Sequence, residues 1–111
     1  MSEKNQKRKF FRIEYPRDEQ PTLRLAGKKY PVLDVSEEGI RFELPLDHEL
    51  EDGDRIVGTI DFCRRTNADI KGFVLRISRG SCVVSLERHL PLPLIMSEQR
   101  YLLANFKRKT S

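Results

Sequence analysis

The chain contains no tryptophan, two cysteines and two histidines, and no apolar run near the roughly 20 residues a membrane-spanning helix requires. Each shortage excludes something. Cys63 and Cys82 match no zinc or redox spacing, so both are expected to be reduced, half-buried core thiols. His48 and His89 are isolated, with no second histidine or acid at ligand spacing, and no metal site is expected. The chain lacks a Ser-His-Asp arrangement, an H-E-x-x-H motif, a glycine-rich phosphate loop and a cysteine with an activating partner. The acids Asp47, Glu49, Glu51, Asp52 and Asp54 crowd together, but as a solvated loop rather than a paired-carboxylate site. A binding protein, not an enzyme, is therefore expected. The opening Met1-Ser2-Glu3-Lys4-Asn5-Gln6 is polar and has no signal-peptide stretch, which points to the cytoplasm.

What is present suits one small domain. A length of 111 residues leaves no room for a second core, and 38% hydrophobic against 34% charged residues describes a solvated body around a modest interior. The net charge of +4 is unevenly spread. Lys4, Lys7, Arg8, Lys9 and Arg12 gather at one end and Lys107, Arg108 and Lys109 at the other, around a nearly balanced middle. Basic ends on a neutral body imply an anionic partner met locally. Residues 1–9 are expected to form a flexible basic tail, and residues 10–111 a single domain.

From Phe10 onward short alternating segments follow one another. Thr22-Leu23-Arg24-Leu25 leads through Ala26-Gly27-Lys28 into residues 29–35, a hairpin pattern. A turn over residues 36–39 precedes the alternating Ile40-Arg41-Phe42-Glu43-Leu44, which Pro45 ends. Further strands are expected over residues 55–62, 68–77 and 81–86, with turns at residues 64–67 and 79–80. Six or seven short strands at this spacing predict an all-β antiparallel barrel or sandwich, because such strands hide their edges by closing up. Gly58 and Gly72 suit the bends of a small barrel. After Pro91 and Pro93 the period changes. Ser97 is a candidate N-cap with Glu98 in the first turn, and Leu102, Leu103 and Phe106 form one apolar stripe, so one short C-terminal α-helix is expected.

Two segments carry binding chemistry. Arg8-Lys9-Phe10-Phe11-Arg12 sets two guanidinium forks at R-x-x-x-R spacing where the tail meets the first strand; such forks grip phosphate oxygens or the O6/N7 edge of guanine. Asp34-Val35-Ser36-Glu37-Glu38-Gly39 ends a strand in a turn. A carboxylate there can accept from the N1–H and N2–H2 of guanine, the serine hydroxyl can serve the ligand or the turn, and Gly39 permits a backbone shape or approach closed to other residues.

Taken together, these segments resemble the PilZ domain family, whose signature is R-x-x-x-R followed one hairpin later by (D/N)-x-S-x-x-G. Arg8 and Arg12 match the first motif; Asp34, Ser36 and Gly39 match the second. The chain departs from many members in having Lys9 beside the first arginine, and in reading Cys82-Val83-Val84-Ser85-Leu86 near the end of the strands. The resemblance implies a six-stranded barrel that binds cyclic di-GMP, with the arginines on phosphates and guanine edges and the Asp34 turn on a guanine. Lys7 and Lys9 are possible additional phosphate contacts, and Arg76 is the nearest candidate for a side chain stacking on the ligand. It implies no cofactor. The expected scheme is that ligand pins the tail against the barrel, and that a downstream effector protein reads the new surface. Two other readings remain: an adaptor of the same fold that binds no nucleotide, and a small basic barrel for single-stranded nucleic acid. The second is disfavoured by the scarcity of aromatic platforms near the basic cluster.

Overall fold

The computed structural model of the protein describes residues 12–63 and 66–110, with side chains of the last helix followed as far as Ala104. The expected tail, and with it Lys7, Arg8 and Lys9, lies outside the described residues. The described residues form seven strands in order: β1 (Ile13–Glu14), β2 (Thr22–Leu25), β3 (Lys28–Val35), β4 (Gly39–Glu43), β5 (Arg55–Asp61), β6 (Asn67–Ser78) and β7 (Ser81–Leu86). A 3-10 turn, Arg17–Glu19, lies between β1 and β2, and the chain ends in a helix, α1 (Leu92–Thr110).

All pairings are antiparallel, in the order β1-β3-β2-β5-β6-β7-β4, and β4 returns to β3. Strands β2 to β7 thus close into a six-stranded barrel. Strand β1 is the additional one. Asp34 and Val35 pair with β1 on one edge and β4 on the other, so β1 follows β2 along the same edge of β3.

Alternation fills the interior. Leu23, Val32, Val35, Ile40, Phe42, Ile56, Ile60, Val84 and Cys82 are buried, while their strand neighbours Arg24, Glu43, Arg55 and Ser85 are exposed. Tyr30 and Phe42 meet inside, with ring centroids 5.3 Å apart and planes tilted by 51°. The β2–β3 turn is the tight two-residue kind: Ala26 and Gly27 have φ of 51° and 81°, and Leu25 pairs with Lys28 across them. Where β6 runs between β5 and β7, a Cβ on Gly72 would fall 2.2 Å from the Ser85 carbonyl oxygen. The barrel therefore needs Gly72 for close backbone approach, beyond any bend it allows.

The helix begins earlier than the expected N-cap. Pro91 supplies the first carbonyl, accepting from Leu94 N at 3.0 Å and Ile95 N at 3.2 Å, so Leu92 opens the helix and Ser97 lies within it. Proline is tolerated in a first turn because the missing N–H has no helical partner there; the two prolines mark the start, not a gap before it. Ile95 is fully buried in the core, Leu94 and Leu102 pack against that core, and Leu103 is exposed. Glu98, expected in the first turn, lies beyond it in a helix that starts at Leu92, and is buried.

The cysteines differ from each other. Cys82 is buried as expected, and burial pushes its thiol up to about 11. Cys63 is exposed, not a core thiol, because it sits in the β5–β6 turn with its sulfur 3.3 Å from the Glu19 carbonyl oxygen. An alkylating reagent is expected to modify Cys63 in the folded protein and Cys82 only after unfolding. Equal modification of both under native conditions, read by mass spectrometry, would contradict this packing.

Candidate functional site

The β3–β4 hairpin closes between Ser36 and Gly39. Ser36 N donates to the Gly39 carbonyl at 2.8 Å, and Gly39 N donates to Ser36 Oγ at 3.2 Å. The serine hydroxyl thus folds its own turn, the local role open to it in the sequence. Gly39 does not have positive φ, so left-handed backbone is not the reason for glycine here. The reason is space: a Cβ would lie 3.1 Å from the Val84 carbonyl oxygen on β7.

One irregularity aims the carboxylate. Alternation from Tyr30 and Val32 would carry Asp34 to the inner face. Instead the register slips at Leu33: Val32 faces Phe42, whereas Asp34 faces Arg41 and Val35 faces Ile40. The extra residue reverses the phase, so Val35 enters the core and Asp34 turns outward. Leu33 O, at the bulge, accepts from Tyr15 N of the β1 segment at 3.0 Å. Asp34 is nonetheless only 7% exposed. Its Oδ2 accepts from Arg41 Nε at 2.8 Å, and the Arg41 side chain is 41% exposed.

The ladders arrange the site residues in rows across the barrel. Glu14, Asp34, Arg41, Val83 and Arg76 lie successively opposite one another from β1 to β6. Beside them runs Ser36, Gly39, Ser85 and Phe73. Ile13 pairs with Val35, so one step further along the ladder brings exposed Arg12 level with Ser36. Arg12, Asp34, Ser36 and Gly39 are therefore brought together. Arg76 shares the row but is three strands from Asp34, about 14 Å at the usual strand spacing. Arg8, Lys7 and Lys9 fall outside the described residues. Sequence reasoning missed Arg41, whose side chain is bonded to Asp34.

The helix fixes the strand from which Arg12 projects. Tyr15 OH donates to buried Glu98 Oε1 at 2.7 Å, and Tyr101 OH donates to Glu19 Oε1 at 3.0 Å. Burial first, and the Glu98 carboxylate second, push the Tyr15 phenol well above its ordinary range, so at neutral pH it is a proton donor to Glu98. A crevice of about 470 Å³ opens between Arg12, Glu14 and Pro16 on one side and Gln99, Leu102 and Leu103 on the other. A larger hollow of about 1170 Å³, bordered by Lys28, Lys71 and Arg88, contains none of the motif residues. Among the described residues no group of acids, histidines and cysteines is placed to hold a metal ion, and no helix is long and apolar enough to cross a membrane.

A profile described as PilZ domain matches residues 6–104, most of the chain. No curated protein matches it. Among solved structures, YcgR from Escherichia coli in complex with c-di-GMP superimposes with a TM-score of 0.53 at 20% sequence identity. The match covers 92% of this chain and 46% of that one, so the chain spans less than half the length of that neighbour.

Proposed function

The chain belongs to the PilZ domain family, and from that premise we propose that it is a receptor for cyclic di-GMP that does no chemistry on its ligand. The observation that carries this reading is the β1–β3 register. With Ile13 against Val35, Arg12, the last residue of the R-x-x-x-R motif, comes level with Ser36 in the Asp34-Ser36-Gly39 turn. A ligand with two phosphates and two guanines matches those groups: guanidinium forks for the phosphates and a carboxylate for a guanine N1–H and N2–H2. YcgR, which shares the fold, was crystallised in complex with c-di-GMP, and that supports the same ligand class here.

Arg8 and Arg12 hold the phosphates, Asp34 reads a guanine, and Ser36 and Gly39 keep the turn tight and its outer face low. Lys7, Lys9 and Arg76 are further contacts at the margin. Residues 10–111 act as one domain. Residues 1–9 close over the ligand, and the closed segment forms the surface that an effector protein reads.

Calorimetric titration with cyclic di-GMP, GTP and a short single-stranded oligonucleotide tests the reading. Saturable binding is expected for cyclic di-GMP alone. Binding of the oligonucleotide only would mean a nucleic-acid barrel, and binding of none would mean a protein adaptor. In the bound state, amide exchange at residues 4–10 is expected to slow while that of the barrel strands stays unchanged. Unaltered exchange in that segment would refute the relay without touching the ligand.

A further inference from the structure

We infer that Arg41 is a positioning residue for base selection, holding the Asp34 carboxylate in the orientation that distinguishes guanine from adenine. The inference rests on the reading of Asp34 as the guanine acceptor and adds a residue outside both motifs.

Three observations carry it. Asp34 is almost buried, so the orientation of its carboxylate is set by protein partners rather than by water. Arg41 Nε donates to Oδ2 at 2.8 Å, and the second oxygen, Oδ1, takes no part in that bond. The two residues face each other across the ladder on the outer side, with Val83 behind Arg41, so the pair is fixed by backbone register as well as by charge.

The chemistry follows. The guanine edge presents two donors, N1–H and N2–H2, which an ionised carboxylate accepts. Adenine presents an acceptor, N1, at the corresponding place, which a carboxylate repels. Selection between them requires the carboxylate to keep its plane, because a rotating group would accept less well from both guanine donors and lose part of the distinction. The planar Arg41 guanidinium, bonded through Nε, supplies that constraint, whereas an ammonium group supplies charge without a fixed plane.

The test measures cyclic di-GMP and cyclic di-AMP binding by the full chain and by Arg41→Gln, Arg41→Lys, Asp34→Asn and Asp34→Asn/Arg41→Gln. Arg41→Gln is expected to lower affinity for cyclic di-GMP by about tenfold and to leave the weak binding of cyclic di-AMP unchanged, so discrimination shrinks by the same factor. Arg41→Lys should recover part of the affinity and part of the discrimination, reaching wild type in neither. The double variant should bind no more weakly than Asp34→Asn alone, because Arg41 acts through Asp34. Unchanged discrimination in Arg41→Gln, or a double variant whose losses add, overturns the inference. Should Arg41→Gln fail to fold, the discrimination of Arg41→Lys against wild type decides: a ratio equal to wild type overturns the inference and a reduced one supports it. Wild-type protein that binds no cyclic di-GMP removes the underlying reading, and the inference with it.

Discussion

Gly72→Ala is expected to cost at least about 3 kcal/mol of stability, enough to unfold a domain of ordinary stability in part or entirely. The reason is geometric. Gly72 is paired on both sides, to Ile56 of β5 and Leu86 of β7, midway along the longest strand. A Cβ there meets the Ser85 carbonyl oxygen at 2.2 Å and Val84 Cγ1 at 2.9 Å. The first obstacle is backbone, so relief requires β6 and β7 to separate, and separation breaks ladder hydrogen bonds whose groups have no alternative partner. Two other glycines calibrate the effect. At Gly58 the Cβ would lie 2.5 Å from the Arg24 carbonyl oxygen, so Gly58→Ala should also be severe. At Gly27 nothing lies within 4 Å, and only the positive φ of 81° is at stake, about 1 kcal/mol. Urea unfolding of the three variants should show Gly72→Ala and Gly58→Ala far below Gly27→Ala. A Gly72→Ala protein as stable as Gly27→Ala would mean that β6 and β7 can part at this crossing at little cost.

Much of the fold is legible because a strand on a barrel has one wet face and one dry face. The alternation of Ile40-Arg41-Phe42 or Leu23-Arg24-Leu25 states both the element and its orientation. The features that are not legible depend on what lies across the ladder. Nothing local announces the bulge at Leu33, since Leu33 is apolar like Val32 before it; the shift exists because Val32 must meet Phe42 while Val35 meets Ile40. Gly39 suggests conformational freedom to a local reading, but its constraint comes from β7, a strand far along the chain. Prolines read as breakers displace the expected helix start, whereas a first turn is where they break nothing. Glu98 is unreadable as a core acid because its partner, Tyr15, comes from the other end of the chain. Arg41 could have been found. A turn closing between Ser36 and Gly39 sets residues two steps outward on each side opposite one another, and those are an aspartate and an arginine.

Arg8→Ala and Arg12→Ala are each expected to weaken cyclic di-GMP binding by ten- to a hundredfold, on the basis of about 1.5–3 kcal/mol for a charge-assisted hydrogen bond whose partner is partly desolvated. Melting of the ligand-free protein should hardly change for Arg12→Ala, because Arg12 is exposed and the segment after it is held by Ile13 in the core and by Tyr15 on Glu98. That separation of affinity from stability is the diagnostic feature: a core residue would lose both. Salt adds a second one. Charges at an exposed site are screened over about 10 Å at 0.1 M salt, so affinity should fall as ionic strength rises, and the fall should be shallower in either variant, which has one fewer cation to screen. Asp34→Ala should behave differently, losing discrimination between cyclic di-GMP and cyclic di-AMP while keeping the wild-type salt dependence. If both arginine variants bind as wild type does, with the same dependence on salt, the phosphates are held elsewhere, and the larger hollow bordered by Lys28, Lys71 and Arg88 becomes the surface to substitute next.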